Sequence, residues 1–273
     1  MSALLKRLLP LLAVPHLAWA DSVQWSNSYS FPGTNDIAMC SDGWLWRIAD
    51  SGNSYAPTLQ YSAPPYTSWV TTSTFGGPAV DLTCNSTWSM WTNRLMWYTR
   101  PYDDEIGTVP SRLESMWYYY PGAFYNYALH ASPLGPITDI DLISGAEAFA
   151  FYGNGQGRPG NLGVVPDLPA TQIAWAPPAS LHSARLTAGT TWNNNGVLFA
   201  LNDDKTLWVN FDTGGTWNLG PGPGWHPIPD PTFALFGGLV TDMEATTYGG
   251  QIQLWVLIST GSSRTVHRVN YIP

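Results

Sequence analysis

The segment DIAMCSDGWLWRIAD, residues 36–50, returns in altered form as DLTCNSTWSMWTNRLMWYT, residues 81–99. Each copy opens with an Asp, reaches a Cys within four residues and continues into a Trp-rich stretch in which apolar residues alternate. Alternation with a period of two predicts β-strands, because successive side chains of a strand point to opposite faces. The two copies therefore indicate that the chain repeats one β-rich unit.

Three weaker copies of this unit follow, with apolar strands at Ala148–Tyr152, Val197–Leu201 and Ile252–Leu257. Successive units open about 45, 58, 44 and 59 residues apart. Repeats of about 40 to 50 residues with four short strands are typical of propeller blades. The sequence predicts an all-β fold, a five-bladed β-propeller, with an irregular β-sandwich as the alternative.

The fifth unit ends after three strands, and the beginning of the chain offers the missing one. Ser22–Ser26 alternates as a strand does and carries Trp25, which corresponds to the late Trp of the other units. We therefore expect this N-terminal strand to complete the last blade and to close the ring, which removes a free sheet edge.

The first twenty residues have the features of a secretory signal peptide. Lys6 and Arg7 precede an apolar run at Leu8–Val14, and Ala18–Ala20 forms a small-x-small cleavage site. The run is too short to span a bilayer. The sequence predicts a signal peptide at residues 1–20, a single propeller domain at residues 21–273, a secreted or secretory-lumen location and no membrane anchor.

The two cysteines of the chain occupy equivalent positions in neighbouring units. A secreted protein permits their oxidation, so we expect a Cys40–Cys84 disulfide between the first two blades; two buried free thiols are the alternative. Asn85 begins the sequence Asn-Ser-Thr, which is a glycosylation acceptor motif.

Charge and motif content exclude several function classes. Without the signal peptide, nine basic residues face nineteen acidic ones, a poor basis for binding phosphate backbones, so we expect no nucleic acid partner. The remaining histidines lack metal-ligand spacing, and no phosphate-binding glycine loop precedes a helix. The sequence therefore predicts no metal and no cofactor.

The second and fourth units each carry an insertion of about fourteen residues, at Arg100–Pro110 and Gly220–Asp230. Long loops on a rigid scaffold often carry function. Two unequal insertions predict one asymmetric small-molecule site at the channel mouth; decoration of the rim is the alternative. The candidate substrate-binding residues are Tyr118, Tyr119, Tyr120, Trp225 and Phe236.

Acidic residues recur where the units open, at Asp36, Asp81, Asp139, Asp141, Asp242 and Glu244. Asp139 and Asp141 stand two residues apart and so share one face of a strand, which makes them candidate catalytic carboxyls. Paired carboxyls are the catalytic groups of glycoside hydrolases, including furanosidases of the five-bladed propeller type. Turn capping by an Asp at the start of each blade is the alternative.

The Trp-rich blades resemble those of fungal fucose-specific propeller lectins. Such lectins repeat an Arg, a Glu and an aromatic residue in each blade, whereas Arg47, Arg94 and Arg185 do not recur in register here. The resemblance implies sugar binding, although at a single site and not at five.

The chain also resembles, in its style, the hetero-Diels–Alderases of tropolone–sesquiterpenoid pathways. This resemblance implies a cofactor-independent cyclase that orients an aromatic quinone methide and a terpenoid olefin. His226 lies between Pro223 and Pro227 and would assist dehydration, since an ordinary imidazole titrates near pH 6.5. The cyclase is the first function hypothesis, a carbohydrate-binding lectin is the alternative, and a glycoside hydrolase is the second alternative.

Overall fold

A computed structural model describes residues 22–52, 57–74, 79, 81–85, 93–102, 110–119, 123–125, 129–131, 137–144, 147–152, 157–161, 184–211, 224–228 and 237–273. The regular secondary structure of these residues consists of β-strands. Within them, no helix has the length and apolar character needed to cross a membrane. The predicted signal peptide lies outside the described residues.

The described strands form five antiparallel sheets, numbered here in chain order. Sheet one contains β2 (Thr34–Met39), β3 (Leu45–Ala49), β4 (Thr58–Ser62) and β5 (Val70–Thr74). Sheet two contains β6 (Asp81–Asn85), β7 (Asn93–Tyr102), β8 (Pro110–Tyr119), β9 (Ala123–Tyr125) and β10 (Leu129–Ala131). Sheet three contains β11 (Ile137–Ser144), β12 (Glu147–Tyr152) and β13 (Gly157–Asn161). In sheets one and three, neighbouring strands follow one another along the chain, as expected for consecutive repeats, whereas in sheet two both β9 and β10 pair with β8.

Sheets four and five come from the C-terminal part of the chain, with one addition. Sheet four contains β14 (Ala184–Trp192), β15 (Asn195–Asn202), β16 (Leu207–Phe211) and β17 (Trp225–Pro227). Sheet five contains β18 (Leu239–Tyr248), β19 (Gln251–Thr260), β20 (Ser263–Ile272) and the N-terminal β1 (Ser22–Ser30). β1 pairs with β20 along its whole length, from Ser22 opposite Ile272 to Ser30 opposite Thr265. The N-terminal strand thus adds to the C-terminal sheet, as the sequence predicts.

The first strands of the five sheets contact one another in a closed cycle: β2 with β6, β6 with β11, β11 with β14, β14 with β18, and β18 with β2. The hydrophobic core lies between adjacent sheets. One cluster between sheets four and five includes Phe199, Met243 and Val256, and another between sheets five and one includes Ile37 and Trp255. Because β3 and β19 are covered on both faces, Leu45–Trp46 and Leu254–Trp255 are buried side by side instead of alternating with exposed residues.

The predicted disulfide is present. Cys40, which follows β2, is bonded to Cys84 of β6, with 5.1 Å between their Cα atoms. Both cysteines belong to the core cluster between sheets one and two, together with Trp46 and Leu82. The bond therefore links the two sheets whose sequences first revealed the repeat, and it fits an oxidising compartment.

Candidate functional site

A cluster of carboxyl groups occupies the first strands of four sheets. Its members are buried, with side-chain exposures between 1% and 4%. They are Asp36 on β2, Asp81 on β6, Asp139 and Asp141 on β11, and Asp242 and Glu244 on β18. These strands contact one another in a cycle. The charge of one carboxyl group therefore changes the pKa of another, even when the two residues are about two hundred positions apart in sequence.

A β-bulge precedes the acidic residue on three of these strands. The pairing register shifts between Thr34 and Asp36 on β2, between Ile137 and Asp139 on β11, and between Val240 and Asp242 on β18. A bulge inserts one residue and turns the strand locally, so it changes the direction of the side chain that follows. The bulge therefore sets the direction of the Asp36, Asp139 and Asp242 side chains, and the residue two positions further along each strand shares the same face.

Asp36, Asp81 and Asp242 lie close to one another within the cluster. One carboxylate oxygen from each of the three lies within 4.8 Å of the others. The backbone N–H of Ile37 donates to Oδ2 of Asp242 at 2.8 Å, and the carboxyl groups of Asp36 and Asp242 are hydrogen-bonded to each other. Burial raises the pKa of Asp36 well above its usual range, and the charges of Asp242, Asp81 and Glu244 raise it further.

Asp139 and Asp141 meet at a single hydroxyl group. Thr187 of β14 places its Oγ1 at 2.7 Å from Oδ2 of Asp139 and within hydrogen-bonding distance of Oδ2 of Asp141, and its backbone N–H also donates to Asp139. A threonine hydroxyl has one hydrogen to donate, so it cannot satisfy two carboxylates at once. Both contacts are satisfied when one of the two aspartates is protonated and donates to Oγ1.

The pKa values of this pair agree with a retained proton. Burial raises the pKa of Asp139 well above its usual range, with a further increase from the charge of Asp141. Burial also raises the pKa of Asp141, to about 7, against the opposing effect of the hydrogen bond from Thr187. Loss of hydration penalises the charged form of a carboxyl, which is why the direction is the same for both.

A cleft of about 300 Å³ opens between sheets four and five. Its lining combines an aliphatic wall with polar groups: Leu186, Leu201, Leu239, Val240, Asn202, Asp203, Lys205 and Thr241. Leu186 and Thr241 are the chain neighbours of Thr187 and Asp242, so the cleft begins one residue away from the carboxyl cluster. Leu239 is 68% exposed, which shows that the wall faces solvent.

The polar side of this cleft is a tight turn between β15 and β16. The N–H of Lys205 donates to the carbonyl of Asn202 at 2.9 Å, and Lys205 has a left-handed φ of 65°. Oδ1 of Asp204 accepts from the N–H and the hydroxyl of Thr206, at 2.9 and 2.7 Å. These bonds hold the backbone of the turn from which the side chains of Asp203 and Lys205 extend.

Two of the predicted site residues lie on a strand and not in a loop. Trp225 and His226 lie on β17, the outermost strand of sheet four, and not in a loop at the channel mouth. Trp225 is buried, and the ring of His226 stacks on Phe211 with 6.0 Å between centroids. A short fourth strand at the edge of sheet four therefore forms where proline and glycine spacing indicated a loop.

The other candidate residues divide into three groups. Tyr118 and Tyr119 lie on β8, whose neighbour β7 separates it from β6, while Tyr120 and Phe236 lie outside the described residues. Asp139 and Asp141 are brought together, as expected from their spacing. Asn85 ends β6 opposite Leu95, and its glycosylation stays a prediction.

Comparison with known proteins identifies the architecture. No family model and no curated protein matches the chain. Among solved structures, a GH43_1 enzyme from Xanthomonas citri matches 89% of this chain and 90% of its own, with 11% identity and a TM-score of 0.60. The structure of an α-L-arabinofuranosidase from Lactobacillus brevis aligns with 91% of this chain over 90% of its own length, with 10% identity and a TM-score of 0.55.

A fungal lectin from Aleuria aurantia, a six-bladed β-propeller that recognises fucose, matches 88% of this chain and 73% of its own, with 12% identity and a TM-score of 0.53. At these identities the likenesses establish the fold alone. The chain is an all-β protein with the architecture of β-propellers.

Proposed function

We propose that this protein binds a carbohydrate in the cleft between sheets four and five. The lining of the cleft carries this proposal, because an aliphatic wall stands beside a carboxylate, an ammonium and a hydroxyl group. A sugar ring has the complementary surface, with an apolar C–H face and an edge of hydroxyl groups that donate and accept hydrogen bonds. A few oriented polar groups in an otherwise apolar cleft are the usual basis of small-molecule specificity.

The size and exposure of the cleft favour a small sugar. Its volume of about 300 Å³ lies at the lower end of the range for small-molecule sites, which suits one or two rings. The described lining residues include no aromatic ring, so stacking does not contribute there and the affinity should be modest. Unlike the carboxyl cluster, this site is open to solvent through Leu239.

Two findings favour a carbohydrate over the substrates of a cyclase. The Aleuria aurantia lectin and the Lactobacillus brevis α-L-arabinofuranosidase are both named for sugars. In addition, the cyclase hypothesis needs Trp225 and His226 at the channel mouth, whereas both lie on an outer strand. The cyclase is therefore replaced by its first alternative as the leading hypothesis.

We expect Lys205→Gly to weaken sugar binding at least about tenfold without loss of thermal stability. The substitution removes the ammonium group, and a hydrogen bond to a charged group contributes about 1.5–3 kcal/mol. Glycine adopts the left-handed φ of 65° at no steric cost, so the turn is kept. A glycan array, followed by calorimetric titration with methyl α-L-fucoside and methyl α-L-arabinofuranoside, measures the effect.

Asn194→Gly is the matched control, since Asn194 also has a left-handed φ, of 65°, in the turn between β14 and β15 at the opposite end of sheet four. It should bind sugar as the parent protein does. Equal affinities for the parent and Lys205→Gly, or the absence of any array signal from the folded parent, would contradict binding in this cleft.

A second candidate function, glycoside hydrolysis, is favoured by the Asp139–Thr187–Asp141 arrangement. A glycosidase needs one carboxyl that is protonated at working pH and one that is ionised. A carboxyl pair in which one member retains a proton near neutral pH meets this requirement. Both side chains are buried, with exposures of 1–2%. Glycoside hydrolysis is therefore the second candidate function and not the first.

For the hydrolase, we expect Asp139→Asn to lower the rate of release of 4-nitrophenol from aryl arabinofuranosides and fucosides at least about a hundredfold, because general acid–base groups contribute about 10²–10⁴. Asp50→Asn changes an exposed aspartate at the end of sheet one and should leave the rate unchanged. A parent protein that binds sugars but releases no product is a lectin-type binding protein and not a hydrolase.

We also propose that the five sheets are the blades of one propeller domain at residues 21–273, the last of which is completed by β1. The closed cycle of contacts between first strands and the pairing of β1 with β20 support this closure. Secretion through a signal peptide at residues 1–20 and glycosylation at Asn85 complete the proposal, and the Cys40–Cys84 disulfide is compatible with both.

A further inference from the structure

We propose that Arg47 and Trp69 bind the carboxylate group of an acidic sugar at the junction between sheets five and one. Arg47 lies on β3, and its guanidinium group is over the ring of Trp69, 4.1 Å from the centroid. Trp69 also packs edge to face against Phe31, which follows β1 of sheet five, with 4.9 Å between ring centroids. The Arg47–Trp69 pair therefore lies where the two sheets meet.

The guanidinium group of Arg47 donates to neutral acceptors. Nε and Nη2 both donate to Oε1 of Gln60, at 2.9 and 2.7 Å. Nη1 donates to Oγ1 of Thr34 at 2.9 Å and to the carbonyl of Pro32 at 3.4 Å. A guanidinium group has five N–H groups, so these four bonds leave one N–H of Nη2 for a further acceptor. In the described part of the chain, no carboxylate therefore neutralises this charge by a hydrogen bond.

A charge without a counter-charge is costly at this depth. Arg47 is half-buried, and burial lowers the pKa of its guanidinium group to about 10. The group still carries its charge at neutral pH, and charges that leave water are usually paired. A bound carboxylate would offset the cost and accept the remaining N–H, whereas a neutral hydroxyl group would only accept the N–H.

Arg268 of β20 brings a second positive charge to the same junction. Its guanidinium group is 5.8 Å from the ring centroid of Trp255, and its Nε donates to Oγ of Ser26 at 2.9 Å, which is again a neutral acceptor. Successive rings in an aromatic row between the two arginines have centroids 4.9, 5.7 and 5.9 Å apart. The row consists of Trp69, Phe31, Tyr29 and Trp255. Two cations thus meet at one junction of a chain with a net charge of −8, which favours an anionic ligand there.

The surroundings of Arg47 favour an acidic sugar over a simple anion. Trp69 is partly exposed, and Thr71, two residues further along the edge of sheet one, is exposed on the same face. Oγ1 of Thr71 accepts from Nε2 of Gln60 at 3.1 Å, so its own hydrogen remains to be donated. An aromatic surface, a hydroxyl group and a guanidinium group match the C–H face, the hydroxyl groups and the carboxylate of a uronic acid.

This site is separate from the cleft between sheets four and five, so each of the two can fail without the other. It is also not one copy of the repeated lectin pattern. Arg94 and Arg185 do not recur in register with Arg47, and the side-chain partner of Arg47 is the amide of Gln60 and not a Glu. The carboxylate of the ligand would supply the negative charge that a Glu supplies in that pattern.

The test is calorimetric titration of the whole protein with trigalacturonic acid and with its methyl ester, at about pH 6, where the acid is ionised and Arg47 is protonated. We expect the acid to bind at least about tenfold more tightly than the ester, because only the acid neutralises the guanidinium group. Arg47→Gln should lower the affinity for the acid at least about tenfold and abolish the preference for the acid. Arg264→Gln removes the same charge from the turn between β19 and β20, where Nη1 donates to the carbonyl of Gly261 at 3.1 Å, and should preserve both.

If Arg47→Gln does not fold, the parent protein decides, since its affinity for the acid should fall as sodium chloride is raised from about 50 to about 300 mM while that for the ester stays constant. Equal affinities of the parent for acid and ester, or unchanged binding by folded Arg47→Gln, would overturn the proposal, as would a parent that binds neither. Equally tight binding of galactose 6-sulfate would overturn the choice of a carboxylate. Titration with methyl α-L-fucoside tests the cleft separately, so these outcomes leave the proposed function standing.

Discussion

Removal of residues 21–30, which contain β1, is expected to abolish cooperative folding of the protein or to lower its thermal midpoint by more than about 15 °C. β20 would lose its hydrogen-bonding partner along nine residues of β1 and become an exposed edge. The deletion also removes Val23, which is 4% exposed, and Tyr29, whose ring stacks on Trp255 with 5.9 Å between centroids.

These losses are large compared with the stability of a domain. Burial of one large apolar side chain contributes about 1.5–3 kcal/mol, and whole domains are stable by about 5–15 kcal/mol. Two such side chains, together with the Arg268–Ser26 hydrogen bond at 2.9 Å, therefore account for a sizeable part of the total. Differential scanning calorimetry of the shortened protein measures the effect.

The control keeps the backbone of β1 and changes exposed side chains only, as in Gln24→Ala with Ser28→Ala. It should unfold within about 2 °C of the parent, because surface substitutions change stability little. A synthetic peptide of residues 21–30 should partly restore the shortened protein, by addition of a strand to the free edge. A shortened protein with an unchanged midpoint would refute closure of the last blade by β1.

The second large effect concerns pH. We expect the free energy of unfolding to fall as the pH rises from about 4 to about 7, by about 3 kcal/mol from Asp141 alone. In the unfolded chain this carboxyl loses its proton near pH 4, whereas in the folded protein burial raises its pKa to about 7. Between these values only the folded state retains the proton, so stability is greatest at the acidic end and levels off above pH 7.

The surrounding groups act in the same direction. The carboxyls whose charges act on this pair belong to Asp81, Asp242 and Glu244, on β6 and β18. Burial raises the pKa of Asp139, Asp36 and Glu244 well above their usual ranges, and that of Asp242 to about 6. The summed slope between pH 5 and pH 7 should therefore exceed that of a single proton.

Urea unfolding at pH 4.5, 5.5, 6.5 and 7.5, with EDTA throughout, measures this dependence. Asp141→Asn should reduce the slope by about one proton, since its amide does not titrate. Asp204→Asn is the control, because Asp204 is exposed and its hydrogen bonds to Thr206 lower its pKa, so its removal should leave the slope between pH 5 and pH 7 intact. Stability that rises across this interval would show that the cluster is not buried in the folded state.

The sequence by itself determined the features that depend on neighbours along the chain. Period-two alternation identified strands such as β2 and β18, because the pleat of a strand sends alternate side chains to opposite faces. Equivalent positions in two adjacent repeats identified the Cys40–Cys84 disulfide. Two-residue spacing placed Asp139 and Asp141 on one face. The incomplete fifth unit indicated that Ser22–Ser26 would pair with the end of the chain.

Only the tertiary structure decided what these residues do to one another. Thr187, which bridges Asp139 and Asp141, belongs to another sheet, and Asp36, Asp81 and Asp242 come together across three sheets. His226 was expected beside the channel, but pairing of β17 with β16 places it at the outer edge of its sheet. Burial, pKa and the convergence of carboxyls follow from how separate sheets pack, and contacts between residues far apart in the chain leave no period or spacing in the sequence from which to predict them.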